Sequence, residues 1–432
     1  MTAGAFDDHH PPSAELIKDC VHCGFCLPSC PTYALWGEEM DSPRGRIHLM
    51  KAGLEGEPLS ASMVSHFDAC LGCMACVTAC PSGVQYDTLI TDTRAQIERR
   101  YERPRAERLL REAIFWLFPY PRRLRALRGP LALYQRSGLA RLVRRTGLLD
   151  RLPATLRMME SLTPTLARRE TLPERVPASG RRRGVVGMLS GCVQDALFPE
   201  VNAATVRVLA AEGCDVIIPR RQGCCGALSQ HVGREVEAIR FARALIECFE
   251  AAGVDRIVVN AAGCGSAMKD YAHLLRDDPN YAARAQSFVE RTRDISELLV
   301  ELGPVAPRHP LEVTIAYHDA CHLGHAQGVR SQPRELLRAI PGLTLTEIAE
   351  ADMCCGSAGI YNLLNPEPAT ELGDRKARNV LATGASMLVT ANPGCLMQIA
   401  ASARRLGGHL TLAHTVTVLD ASIRNEPLRA ST

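Results

Sequence analysis

The 432 residues are 46% hydrophobic and 22% charged, which suits two or three domains with cores of their own and excludes a disordered or low-complexity chain. The net charge of +3 hides an uneven spread: residues 94–157 hold 17 arginines, no lysine and five acidic residues, a local net of +12 that leaves −9 for the remainder. Eighteen cysteines are far above ordinary usage. The N-terminal MTAGAFDDHHPPSAELIKDC has no basic stretch followed by an apolar one, and no apolar run approaches the ~20 residues that span a bilayer. Together these point to thiols used for metal in a reducing cytoplasm, with at most a peripheral contact on the inner face of the plasma membrane.

Residues 1–14 are polar and contain prolines, and read as a frayed tail. Two cysteine runs follow with one pattern, C-x2-C-x2-C-x3-C-P: Cys20, Cys23, Cys26 and Cys30 before Pro31, then Cys70, Cys73, Cys76 and Cys80 before Pro81. This is the bacterial signature of a pair of [4Fe-4S] clusters, in which three thiolates of a run hold one cluster and the fourth crosses to the other. The expected sets are Cys20, Cys23, Cys26 and Cys80 for the first cluster, and Cys70, Cys73, Cys76 and Cys30 for the second. Zinc is the poorer reading, because zinc sites pair two Cys-x2-Cys hooks rather than four-cysteine runs ending in Cys-Pro. Between the runs, Ser42 and Pro43 look like an N-cap and first helical residue. The runs start 50 residues apart, so residues 1–92 are expected to form a helical ferredoxin domain rather than the small β type.

Residues 93–180 read as a basic helical connector, interrupted by Pro104, Pro119, Pro121 and Pro130. Its arginines, with Phe115, Trp116, Phe118 and Tyr120, would either pair with the chain's own acidic groups or form a partner-docking or membrane-surface face. Nucleic-acid binding is the weakest of these readings.

From Gly184 the chain repeats itself. A first Cys-Cys-Gly domain over residues 184–303 has expected strands at 184–189, 215–218 and 256–260 and helices near 203–212 and 235–252. A second, over residues 310–425, has strands at 313–317, 344–348 and 387–390 and helices at 334–340 and 372–382. Strands alternating with helices predict parallel sheets covered on both faces. The fold class is therefore α plus α/β: a helical twin-[4Fe-4S] ferredoxin, a helical connector and two duplicated α/β domains. Cys192, Cys224, Cys225 and Cys264 in the first domain match Cys321, Cys354, Cys355 and Cys395 in the second, to within one residue at both gaps. All fall after strands, where open parallel sheets bind ligands, so each set is a candidate for a further iron-sulfur centre or a redox dithiol. Cys214 and Cys248 have no counterparts and read as structural. His318 and His322 flank Cys321, but the first domain has no histidine at either place, which favours supporting over ligating roles.

No glycine-rich nucleotide loop follows a strand, and nothing marks a flavin site. Redox centres without a hydride-handling cofactor describe an electron relay that needs a partner for two-electron chemistry. The ordered combination of Cys20-Val-His-Cys-Gly-Phe-Cys-Leu-Pro-Ser-Cys-Pro-Thr-Tyr33, Asp41-Ser-Pro-Arg-Gly-Arg46, Cys70-Leu-Gly-Cys-Met-Ala-Cys76, Tyr317-His-Asp-Ala-Cys-His-Leu-Gly324 and Cys354-Cys-Gly-Ser-Ala-Gly-Ile-Tyr361 resembles the family of glycolate oxidase iron-sulfur subunits. The resemblance covers nearly the whole chain. It implies a hetero-oligomer with FAD-binding glycolate oxidase subunits, which oxidise glycolate to glyoxylate, and electron delivery to an acceptor such as quinone. Related families are the C subunit of anaerobic glycerol-3-phosphate dehydrogenase and the D subunit of heterodisulfide reductase, whose Cys-Cys-Gly domains would instead reduce a disulfide or quinone. Relatives with non-cubane clusters carry a further cysteine three residues after the last one; here those places hold Ala267 and Gln398.

Overall fold

The computed structural model describes residues 4–167 and 169–428. Among them, everything up to Leu162 is helix or loop, as expected for a helical ferredoxin and connector. Ser42 caps the helix Pro43–Leu54 by accepting from the Gly45 amide at 3.0 Å, and Pro43 occupies its first turn, where its missing N–H is harmless.

The tail is not frayed in the part described, residues 4–14; its first three residues lie outside. Ala5 is fully buried, and the Asp7 amide donates to Gln96 Oε1 at 2.9 Å while Arg99 pairs with its carboxylate at 3.2 Å. Apolar burial and a buried glutamine, neither visible in local composition, tie the segment to the helix Tyr86–Arg100. A second correction concerns Pro130, which sits inside the helix Pro121–Arg136 rather than ending it. Ala126, whose carbonyl loses its usual donor there, and Gly129 are small and exposed, so the ring fits and water can serve the carbonyl.

Two sheets follow. The first contains β1 (Arg175–Val176), β2 (Gly184–Met188), β3 (Cys214–Ile217), β4 (Arg256–Val259) and β5 (Thr292–Asp294) in the order β1-β3-β2-β4-β5. The second contains β6 (Val313–Tyr317), β7 (Leu343–Glu347), β8 (Met387–Thr390) and β9 (Thr411–His414) in the order β7-β6-β8-β9. Every pair is parallel except the two-residue edge β1–β3. In both sheets the earliest long strand lies between its two successors, so the chain leaves β2 or β6 in opposite directions and opens a crevice at the carboxyl ends.

One apolar core runs through both sheets and their helices, joining Val186, Val216 and Val258 to Ile315, Leu388 and Leu419. Polar contacts cross the same junction. The His414 Nε2–H donates to the Asn260 carbonyl at 2.8 Å, while its Nδ1 accepts from the Val416 amide at 3.2 Å. Burial holds this imidazole neutral, its pKa pushed down to about 4. Arg207 and Asp420 form an ion pair at 2.6 Å across the same junction. A separate apolar cluster gathers Leu71 and Cys73 of the ferredoxin, Ile114, Phe115, Met158 and Leu162 of the connector, and Cys321, Cys354 and Tyr361 of the last unit. It seats the ferredoxin on the second sheet.

Candidate functional site

The two ferredoxin loops share one backbone. Left-handed φ occurs at His22 (54°) and Gly24 (86°) in the first run, and at the matching Gly72 (59°) and Met74 (61°) in the second. Two of these four are not glycine, so the shape is imposed by the loop rather than granted by the residue. Alternate left-handed positions curl each loop tightly, and in the second run the Gly72 amide donates to Cys70 Sγ at 3.4 Å, a backbone donor of the kind that suits an anionic centre. Run two has glycine where run one has histidine, because a Cβ there would meet Arg94 Nη1 at 2.8 Å and His231 Nε2 at 2.9 Å.

The two groups of thiols differ in exposure. Cys80 and Cys23 lie within charge range of Cys20, and this group borders solvent, with Cys23 and the neighbouring Val21 and Phe25 exposed. Cys30, Cys70, Cys73 and Cys76 are all buried and line one cavity with Arg46 and Tyr86. Burial pushes the Cys73 and Cys76 thiols well up. Cys70 goes the other way: burial opposes its ionisation, but the Arg46 and Arg94 charges, the Gly72 amide at 3.4 Å and the Tyr86 hydroxyl at 3.6 Å hold it below the usual thiol range. Cationic donors around a buried sulfur cavity fit an anionic iron-sulfur cluster.

The inner sulfurs lie close to both Cys-Cys-Gly units. Cys73 lies within charge range of Cys321, and His231 Nε2 reaches the Leu71 carbonyl at 2.9 Å. The Cys-Cys-Gly cysteines form two chains of neighbouring sulfurs. In the first, Cys192 is 3.7 Å from Cys224, Cys224 lies against Cys225, and Cys225 against Cys264. In the second, Cys321 lies against Cys354, Cys354 against Cys355, and Cys355 is 3.4 Å from Cys395. Cys225 and Cys355 are pulled well below the ordinary range by the thiols on either side, Cys224 and Cys264 for the one and Cys354 and Cys395 for the other. All eight sit at loops or first helical turns after the strands, on the crevice side. Cys214 is buried within β3 and Cys248 half-buried on the helix Glu235–Ala251.

The glycine of each Cys-Cys-Gly turn has φ near +80°, at 77° for Gly226 and 85° for Gly356. A Cβ on Gly356 would stand 2.6 Å from the Ala369 carbonyl oxygen, whereas one on Gly226 would stand 3.3 Å from that of Ala238. Both Gly→Ala changes should therefore lose about 1–2 kcal/mol to left-handed strain. Gly356→Ala should lose roughly 1–3 kcal/mol more by overpacking. Urea midpoints of the two variants check this, and equal losses would contradict the steric argument.

Family comparisons agree with this layout. Residues 16–84 match the 4Fe-4S dicluster domain, residues 106–163 the linker region of the glycolate oxidase iron-sulfur subunit, and residues 186–269 and 315–400 the cysteine-rich domain. A Bacillus subtilis protein described as a probable glycolate oxidase iron-sulfur subunit is 42% identical over 93% of each chain. The Escherichia coli glycolate oxidase iron-sulfur subunit is 35% identical over 95% of each. The chain belongs to the family of glycolate oxidase iron-sulfur subunits. Lactate utilization protein A of an Exiguobacterium species is also similar, 32% identical over 55% of this chain and 98% of its own.

Several residues of this family member's site were not singled out from sequence. Arg46 was visible only as part of Asp41-Ser-Pro-Arg-Gly-Arg46; it is 1% exposed and donates to the His66 carbonyl at 2.6 Å, Thr32 Oγ1 at 3.2 Å and Asp41 Oδ1 at 3.1 Å. Arg94, Tyr86 and His231 carry no local signal at all. The connector's charge is divided between two uses. Arg99, Arg103, Arg111 and Arg144 pair with Asp7, Asp68, Glu98 and Glu160. Arg122, Arg141 and Arg145 are exposed, and so are the apolar Trp116, Leu139 and Leu142 of the same connector. No helix among the described residues is long and apolar enough to cross a membrane.

Proposed function

We propose that the chain is the electron-transfer subunit of a flavin-linked glycolate (2-hydroxy acid) dehydrogenase complex. It takes electrons from FAD held by partner subunits and delivers them to an acceptor such as quinone. Cys20, Cys23, Cys26 and Cys80 hold the outer [4Fe-4S] cluster, and Cys30, Cys70, Cys73 and Cys76 the inner one. When bound, these clusters supply one-electron storage. The protein's own groups do the rest. Arg46, Arg94, Tyr86 and the Gly72 amide balance charge on the inner sulfurs, and the apolar cluster around Leu71, Phe115 and Tyr361 keeps water out. Residues 1–92, 93–180, 184–303 and 310–425 act as ferredoxin, connector and duplicated Cys-Cys-Gly domains. The connector's exposed Trp116, Leu139 and Leu142, together with its exposed Arg122, Arg141 and Arg145, serve in docking the partner subunits.

The observation that carries this reading is a graded run of thiols, from exposed Cys23 through buried Cys73 to Cys321. Deleting the chain from the complex should abolish glycolate-dependent reduction of the natural acceptor, while a dye that oxidises flavin directly still turns over. Undiminished turnover with the natural acceptor would sink the proposal.

A further inference from the structure

The two Cys-Cys-Gly sulfur chains are alike, but their surroundings are not. His318 follows β6, three residues before Cys321, where the first unit has Leu189 before Cys192. Its amide donates to the Val389 carbonyl at 2.9 Å, which fixes its backbone at the crevice. The side chain is 1% exposed, and neither ring nitrogen makes a hydrogen bond of ordinary geometry; the group close enough to interact with the ring is the Cys355 sulfur. Burying an imidazole with both nitrogens idle is unfavourable unless something else engages them. What the ring faces is sulfur: a His318 nitrogen and the sulfurs of Cys355 and Cys395 all lie within 4.8 Å of one another.

We infer that His318, Cys355 and Cys395 bind a single divalent transition-metal ion, a mixed nitrogen and sulfur site that the first unit lacks. Donors 2.0–2.3 Å from a tetrahedral ion stand roughly 3.5–3.8 Å apart, and Cys355 and Cys395 are 3.4 Å apart. Thiolates on different corners of an iron-sulfur cube bind separate irons and are spread more widely. Cys354 touches Cys355 but falls outside this group of three mutually close donors, so the protein supplies three ligands and leaves the fourth position open. Asn392 Nδ2 donates to Cys395 Sγ at 3.3 Å, the outer hydrogen bond that steadies a metal-bound thiolate. No donor comes from the residue three places after Cys395, because Gln398 is engaged with Asn362 and with the Ala369 carbonyl. The nitrogen comes instead from the end of β6, the parallel neighbour of the β8 strand that leads to Cys395. Borderline ligands of this kind take zinc or iron(II).

The inference rests on the second cysteine set being used for metal, not on glycolate as substrate. Its test is zinc and iron content, with X-ray absorption at both edges, on the complete complex purified anaerobically. One ion per chain is expected outside the ferredoxin iron, its shell showing a nitrogen at about 2.0–2.1 Å beside sulfurs at about 2.3 Å. The edge that carries the shell tells zinc from iron(II). His318→Ala should lower that ion's occupancy at least tenfold while both ferredoxin EPR signals persist, and His318→Cys should retain it in an all-sulfur shell. An all-sulfur shell in the unaltered protein, several extra irons per chain, no metal beyond the ferredoxin, or an unchanged ion in His318→Ala would each overturn the inference. The unaltered shell and His318→Cys still decide it if His318→Ala fails to accumulate. Glycolate turnover, scored separately, reports on the proposed function alone.

Discussion

Cys76→Ser should halve the ferredoxin iron, from about eight to about four per chain, with one EPR signal lost and the other intact. Cys76 is buried within a cavity of four sulfurs, and a serine hydroxyl there would be a hard, protonated donor where a soft thiolate is needed. The loss falls on the inner centre, between the exposed sulfurs and Cys321, so the path has no way round it. Glycolate-driven quinone reduction should drop by more than about 100-fold, since even the outer partners of metal ligands are worth 10–100-fold. Dye reduction at the flavin should persist. Cys248→Ser, on the half-buried side of its helix, is the control and should change neither iron nor turnover. Eight irons retained in Cys76→Ser would refute the ligand assignment.

Arg46→Met should destabilise the chain by about 3–5 kcal/mol, the loss typical of breaking one side of a buried ion pair. The methionine matches the volume but leaves the His66 carbonyl and Thr32 Oγ1 without their arginine donor, and the Asp41 carboxylate with only the His66 ring, at 3.0 Å. Desolvation is the larger influence on Arg46, yet the charges of Cys70, Cys30 and Asp41 keep it firmly protonated. The urea midpoint reads the loss. Removing a cation next to the inner sulfurs also lowers the reduction potential there, which redox titration of the EPR signal reads. Asp41→Asn added to Arg46→Met should restore at least about 1 kcal/mol, because the stranded charge is gone. A double variant no more stable than the single one would mean that the stranded carboxylate is not what makes the loss large.

Much of the fold is legible in the sequence because strand and helix alternation is a local pattern. The strands Gly184–Met188, Val313–Tyr317 and Met387–Thr390 fall within a residue of where their apolar runs place them. Helix starts were misplaced at Pro199 and Pro366, which begin their helices several residues before the apolar periodicity does. Thr292–Asp294 and Thr411–His414 carry threonine, arginine, aspartate or histidine in place of an apolar run, and gain their identity only by pairing beside Arg256–Val259 and Met387–Thr390. At the site, the thiols could be read off as positions, since spacing belongs to the chain. Arg46, Arg94 and His231 could not, because what makes them matter is which distant atoms they meet. His318 was visible but could be weighed only once its idle nitrogens and the two facing sulfurs were in view.

The apolar cluster that seats Leu71 and Cys73 against Phe115, Cys321 and Tyr361 also bears on how the protein is built in the cell. A metal centre meant for the inner cavity cannot enter once that seal has closed, so its delivery has to precede the docking of the C-terminal half. Translation runs in the same direction: both cysteine runs leave the ribosome long before residues 313–317 do. Maturation is thereby ordered in time, with the early half open to the cluster-loading apparatus and the late half serving as its closure.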